Sequence, residues 1–175
     1  MPGTHHNKTV IVTGGAGSLG LAVVKNFLAE GANVVATDVQ DSLLSALPDE
    51  IEESDRSRVL PYKCNSADEA EVQKLIADIV EKFGRLDVLI NNAAVNDRLD
   101  PTGDCPREMW DRNILVNMTG PFVTSQHAIK QLLKQELIGD QRGIILNVIS
   151  AAGSFGGRAG KTSRTVAHRH NTAKQ

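Results

Sequence analysis

At 175 residues, with 41% apolar and only 3% aromatic residues, the chain is long enough for one domain whose core must be built from Val, Ile, Leu and Ala. A net charge of −2 argues against nucleic-acid partners and anionic membranes, and no apolar run approaches the length of a membrane span. The two cysteines, Cys64 and Cys105, stand far apart without a C-x-x-C, which argues against a disulfide framework or zinc site and for a cytoplasmic setting.

The N-terminal segment, residues 1–8, has no apolar h-region and predicts no signal peptide. Its His5-His6 pair lacks metal-ligand company and reads as solvated; no metal site is expected anywhere. Thr9-Val10-Ile11-Val12 predicts a strand and residues 21–30 a helix. Between them lies Thr13-Gly14-Gly15-Ala16-Gly17-Ser18-Leu19-Gly20, in which Gly15, Gly17 and Gly20 fit G-x-G-x-x-G. Strand, glycine turn and helix together give that pattern its meaning. Glycine lets a phosphate approach the backbone, and the following helix aims its N–H groups and about half a positive charge at the same spot. A diphosphate is the natural occupant.

Residues 31–38 read as a turn and an apolar strand ending in Asp38. An acid at that place accepts hydrogen bonds from an adenosine ribose and repels a 2′-phosphate. NAD is therefore preferred, with NADP as the alternative. Residues 41–54 predict a second helix interrupted at Pro48, and residues 58–64 a short strand. Asp68 caps a third helix whose Val72, Leu75, Ile76, Ile79, Val80 and Phe83 form one apolar stripe, closed by Gly84. Residues 86–92 predict the fourth strand, and a helix bent at Gly120-Pro121 is predicted over 107–137. A fifth strand spans 143–150. This alternation predicts an α/β fold with a doubly wound parallel sheet, Rossmann-like, of five strands. Residues 1–157 form the dinucleotide-binding domain; residues 158–175, with five Lys/Arg and no Asp/Glu, read as a basic, disordered tail. Gly156 to Thr162 imitates a phosphate-binding P-loop, but Phe155 stands where its first glycine belongs.

Over residues 8–157 the chain resembles the short-chain dehydrogenase/reductase family. Thr13 to Gly20 is similar to that family's T-G-x-x-x-G-x-G turn, with Ser18 replacing the middle glycine. Asn91-Asn92-Ala93-Ala94 resembles N-N-A-G, and Asn65-Ser66-Ala67-Asp68 resembles D-V-x-D. Val116 to Gly120 resembles the segment carrying an active-site Asn, and Asn147 to Gly153 the segment carrying an active-site Ser. The resemblance implies cofactor contacts from Gly14, Gly15, Gly17, Ser18, Leu19, Gly20, Asp38, Asn65, Asn92 and Ala93. It implies catalytic roles for Asn117 and Ser150 on a small-molecule alcohol/carbonyl pair, and a sheet incomplete at its C-terminal side. It also implies a Tyr-x-x-x-Lys pair, yet the chain reads Arg164-Thr165-Val166-Ala167-His168 there, and its single tyrosine is Tyr62. Two expectations follow: an NAD(P)-dependent oxidoreductase, or a truncated and catalytically silent relative that only binds the dinucleotide or folds poorly. Homo-oligomerisation through the 107–137 helix is expected in either case, since the missing segments would uncover its apolar face.

Overall fold

The computed structural model describes residues 3–95 and 104–150. Five strands form one parallel sheet in the order β3-β2-β1-β4-β5. They are β1 Thr9–Thr13, β2 Asn33–Asp38, β3 Val59–Lys63, β4 Val88–Asn91 and β5 Ile144–Asn147. The helices are α1 Ser18–Ala29, α2 Asp41–Ala46, α3 Glu69–Phe83, α4 Arg107–Ile114 and α5 Gly120–Leu132.

Strand residues alternate between two apolar layers, because successive side chains leave a strand on opposite faces. Ile11, Val35 and Leu89 pack with Val72, Leu75, Ile76 and Ile79 of α3 and with Val123 and Ala128 of α5. Val10, Val12, Val34, Ala36 and Ile90 pack on the other face with Val24 and Leu28 of α1. Both faces of β1 are thus covered, and all five of its residues are buried. The α3 boundaries follow from their caps. Asp68 accepts from the Glu71 N–H at 3.0 Å, and Gly84, at φ +82°, turns its N–H onto the Val80 carbonyl.

Three elements differ from the sequence expectation. The second helix stops at Ala46 and continues as two 3₁₀ turns, Leu47–Glu50 and Glu53–Arg58, because Pro48 cannot continue the hydrogen-bond ladder. The 107–137 helix is two helices joined by a π turn, Leu115–Thr119. The irregularity begins before Gly120: Pro121 has no N–H to donate to the carbonyl four residues earlier, so the turn preceding it widens. α5 also ends at Leu132, because the Gln135 carboxamide pairs with both backbone groups of Leu86, at 2.9 and 2.7 Å, and draws the chain toward the start of β4. β5 is shorter than expected, with Val148 to Ser150 lying beyond its end.

The His5 ring is not solvated as the sequence suggested. It lies 4.9 Å from the Phe27 ring, and its backbone N–H bonds the Glu30 carbonyl. The segment before β1 is strapped across the end of α1 by these contacts and by Thr4, whose N–H and hydroxyl both donate to the Glu30 carboxylate.

Candidate functional site

Parallel strands bring their C-terminal ends to one edge of the sheet. Thr13, Asp38, Asn91 and Asn147 end four of them along that edge. The chain winds outward from β1 to β2 on one side and to β4 on the other, so a crevice opens above β1 at this change of direction.

The glycine turn lies in that crevice. Gly14 has φ +62°, and a Cβ there would meet Ala93 Cα at 2.9 Å. A Cβ on Gly20 would lie 2.0 Å from the Gly14 carbonyl oxygen. These two glycines are demanded by the protein's own packing. Gly17 is different: its Cβ would touch only the Gly14 oxygen, at an ordinary 3.5 Å. The protein leaves room at Gly17, where α1 begins with no capping side chain and no acid in its first turn. Ser18 and Leu19, beside it, are exposed. An uncapped helix N-terminus above a glycine with open space suits a diphosphate. Gly15 anchors the turn by donating its N–H to the Thr37 carbonyl at 2.9 Å.

Asp38 closes β2 beside this turn. Its Oδ1 accepts from the Gln40 N–H at 3.1 Å, which holds the carboxylate at the strand end. Asn65 follows β3 on the same edge and is exposed. Its Oδ1 accepts from Ala67 N–H at 3.1 Å, and its own N–H donates to Glu71 Oε2 at 2.7 Å.

On the other side of the turn, Thr13 Oγ1 accepts from the N–H groups of Asn92 and Ala93, both at 3.0 Å. Asn92 Nδ2 donates to the carbonyls of Thr13 and Gly14. Asn92 and Ala93 therefore brace the glycine turn with their polar groups, from behind it. Asn117 sits in the π turn and holds Val95: Oδ1 accepts from its N–H at 2.8 Å, and Nδ2 donates to its carbonyl at 2.9 Å. Ser150 lies on the exposed stretch after β5, beyond the point where Val148 N–H bonds the Asn91 carbonyl.

Beneath this edge lies a polar hub centred on the buried Asn91. Asn91 Nδ2 donates to Ser125 Oγ and Asn147 Oδ1, both at 2.9 Å, and Thr124 Oγ1 donates to Asn91 Oδ1 at 2.7 Å. The hub ties β4, β5 and α5 together. Asn147 serves here as a structural amide at a strand end; the sequence did not reveal the bracing roles of Thr13 and Thr124 or the central place of Asn91. Only the N-N repeat hinted at Asn91, and nothing local marked Thr124.

The lone tyrosine lies on β3, two strands from β1, with its hydroxyl turned to α3. Tyr62 Oη donates to Asp78 Oδ2 at 2.6 Å on α3, and burial together with that carboxylate raises its pKa. Cys64 is buried, and desolvation with nearby Glu71 and Asp68 pushes its thiol up to about 12, where it is inert. Among the described residues no group of three or more His, Cys, Asp or Glu could hold a metal, and no helix is long and apolar enough to cross a membrane. Residues 151–175, with the P-loop imitation, the Arg164–His168 segment and the basic tail, lie outside the described residues.

A family model described as short chain dehydrogenase matches residues 8–162. The chain is similar to the short chain dehydrogenase/reductase dpmpG of Macrophomina phaseolina, 41% identical over 154 residues, covering 88% of this chain and 86% of that one. It is similar also to dpfgG of Gibberella zeae, another short chain dehydrogenase/reductase, 40% identical over 164 residues, but spans only 59% of that protein's length. Among solved structures, an NAD+-bound xylitol dehydrogenase superposes with a TM-score of 0.87 at 25% identity, covering 97% of this chain and 63% of that one. The glycine turn braced from β4, the acid ending β2 and the sheet order are found in a chain most of whose length matches one family model: it belongs to the short-chain dehydrogenase/reductase family.

Proposed function

We propose that this chain binds a nicotinamide dinucleotide across the crevice above β1, NAD in preference to NADP, as an oxidoreductase fold for a small-molecule alcohol/carbonyl pair. One observation carries the reading: Gly17 is the glycine of the turn that packing does not require, and it opens onto an uncapped helix N-terminus, with the Asp38 carboxylate ending the adjacent strand. The turn residues Gly14 to Gly20 would hold the diphosphate, and Asp38 the ribose, with Asn65 beyond it. Asn92 and Ala93 support the turn. The bound nicotinamide supplies the hydride chemistry. Ser150 would polarise the substrate oxygen, and Asn117 sets the loop that leaves β4.

Carbonyl reduction also needs a proton donor tuned near neutral pH. Tyr62 is held by Asp78, with its pKa raised rather than lowered, and so does not fill that role. This favours a second reading of the chain as it stands: dinucleotide binding without turnover. Exposed Phe122 (63%) on α5 and Leu133 (70%) at its C-cap support self-association through that helix.

Calorimetry with NADH and NADPH tests the binding reading. NADH should bind about tenfold more tightly than NADPH, a difference of about 1.4 kcal/mol. Asp38→Ala should erase that preference, and Gly17→Val should abolish binding while the fold survives. No heat with either nucleotide on well-folded protein overturns the proposal. Single-turnover NADH oxidation over a panel of carbonyl compounds, at a rate well above background, overturns the silent reading alone.

A further inference from the structure

Asn113 lies one turn before Asn117, on α4, and is only 2% exposed. A carboxamide at that depth destabilises a helix unless its polar atoms find partners. Its Nδ2 donates to the Met109 carbonyl at 2.8 Å, and its Oδ1 accepts from Asn117 Nδ2 at 3.2 Å. Asn117 in turn holds both backbone groups of Val95. A ladder of side chains therefore runs from regular α helix, through the π turn, to the loop leaving β4.

The direction of the Asn117 amide decides whether this ladder works. Turned by 180°, its NH2 would face the Val95 N–H and its oxygen the Val95 carbonyl, so both bonds would become repulsions. Asn113 discriminates between the two orientations. Its own NH2 is taken by Met109, so the atom it offers Asn117 is an oxygen, which accepts only from NH2. Asn117 also sits where the helix is widened, so its direction is set less tightly by intrahelical bonds than it would be in a regular turn.

We propose that Asn113 is a positioning residue for the nicotinamide end of the crevice. It selects the orientation of Asn117 that grips Val95, and so sets the path of the loop beside the glycine turn. Its functional meaning rests on the dinucleotide reading; the ladder itself does not.

The test uses the full ¹⁵N-labelled chain, with hydrogen-exchange protection at Val95 N–H, side-chain NH2 signals of Asn117, and NADH titration. In the parent, Val95 N–H and both Asn117 NH2 protons should exchange slowly. Asn113→Leu keeps the branching but removes the acceptor; Val95 protection and NADH affinity should each fall by about fivefold, the worth of one neutral hydrogen bond. Amides of β1 and β2 should be unaffected. Asn113→Asp keeps an acceptor for Asn117 Nδ2 in both protonation states, so Val95 protection relative to β1 should exceed that of Asn113→Leu. Unchanged Val95 protection in Asn113→Leu, or an equal loss across the whole sheet, overturns the proposal. If Asn113→Leu does not fold, loss of Val95 protection in Asn113→Asp overturns it, as does solvent-rate exchange of the Asn117 NH2 in the parent. Full NADH affinity in a variant with Val95 unprotected sinks the positioning role alone, whereas a parent that binds no NADH sinks the dinucleotide reading.

Discussion

Among the described residues β3 and β5 both border the sheet, one paired only with β2 and the other only with β4. β3 carries Pro61 at its centre and Lys63 at its end, and Lys63 is paired with Asp41. A proline and a charge are common guards on an edge strand, since one removes a donor and the other resists a second sheet. β5 has neither. Ile144 and Leu146 are 49% and 48% exposed. The adenosine side of the crevice is thus a finished structure, packed on both faces. The β5 side, which carries Ser150, is held by its pairing with β4, by the Asn91 hub and by Ile145, which packs against the core on one face. The parts of the molecule that would hold a nucleotide are self-sufficient, and the parts that would direct chemistry are held by few contacts.

Three changes test that contrast, and a fourth, outside both regions, gives a reference. The largest effect should come from Gly20→Ala, whose Cβ would lie 2.0 Å from a backbone oxygen. It should cost about 3 kcal/mol in a denaturant melt, the upper range for overpacking, and abolish NADH binding. Asn91→Ala should cost about 2 kcal/mol, because it strips partners from Ser125, Thr124 and Asn147. NADH affinity should be little changed; if it collapses, the two sides of the crevice are one unit and the comparison fails. Leu146→Lys should alter stability by no more than about 0.5 kcal/mol and leave self-association in light scattering unchanged, because the apolar face proposed for association lies on α5. Reduced association would place the contact on the β5 edge instead. The smallest effect concerns Glu30, which lies outside both regions. Its carboxylate accepts two bonds from Thr4, which lower its pKa below the usual 4.5. A folded value below the unfolded one means stability that is present above pH 4.5 and lost as pH falls through the folded value. The Tm gap between parent and Glu30→Gln should be constant above that pH and close below it.

The architecture was readable in advance because each β–α unit announces itself locally. The α3 stripe, the Asp68 cap and the Gly84 stop each lie within a few residues of the element they define. The long helix was misread at both ends of its bend for a different reason. Pro121 acts on a carbonyl four residues away, and Gln135 acts on Leu86 across 49 positions. The motif places Asn92 among the cofactor contacts, and the structure adds that its amide holds Thr13 and Gly14.

The sequence by itself determined the strand and helix order, the glycine turn and the acid that ends β2, since periodicity, steric freedom and charge are properties of neighbouring residues. Tertiary structure decided which glycine has room for a ligand, that Thr13 and Asn92, 79 positions apart, lock the turn, and that Asn113 orients Asn117. Hydrogen bonds join atoms by distance and direction in space, and the spacing of residues along a chain carries neither until the chain has folded.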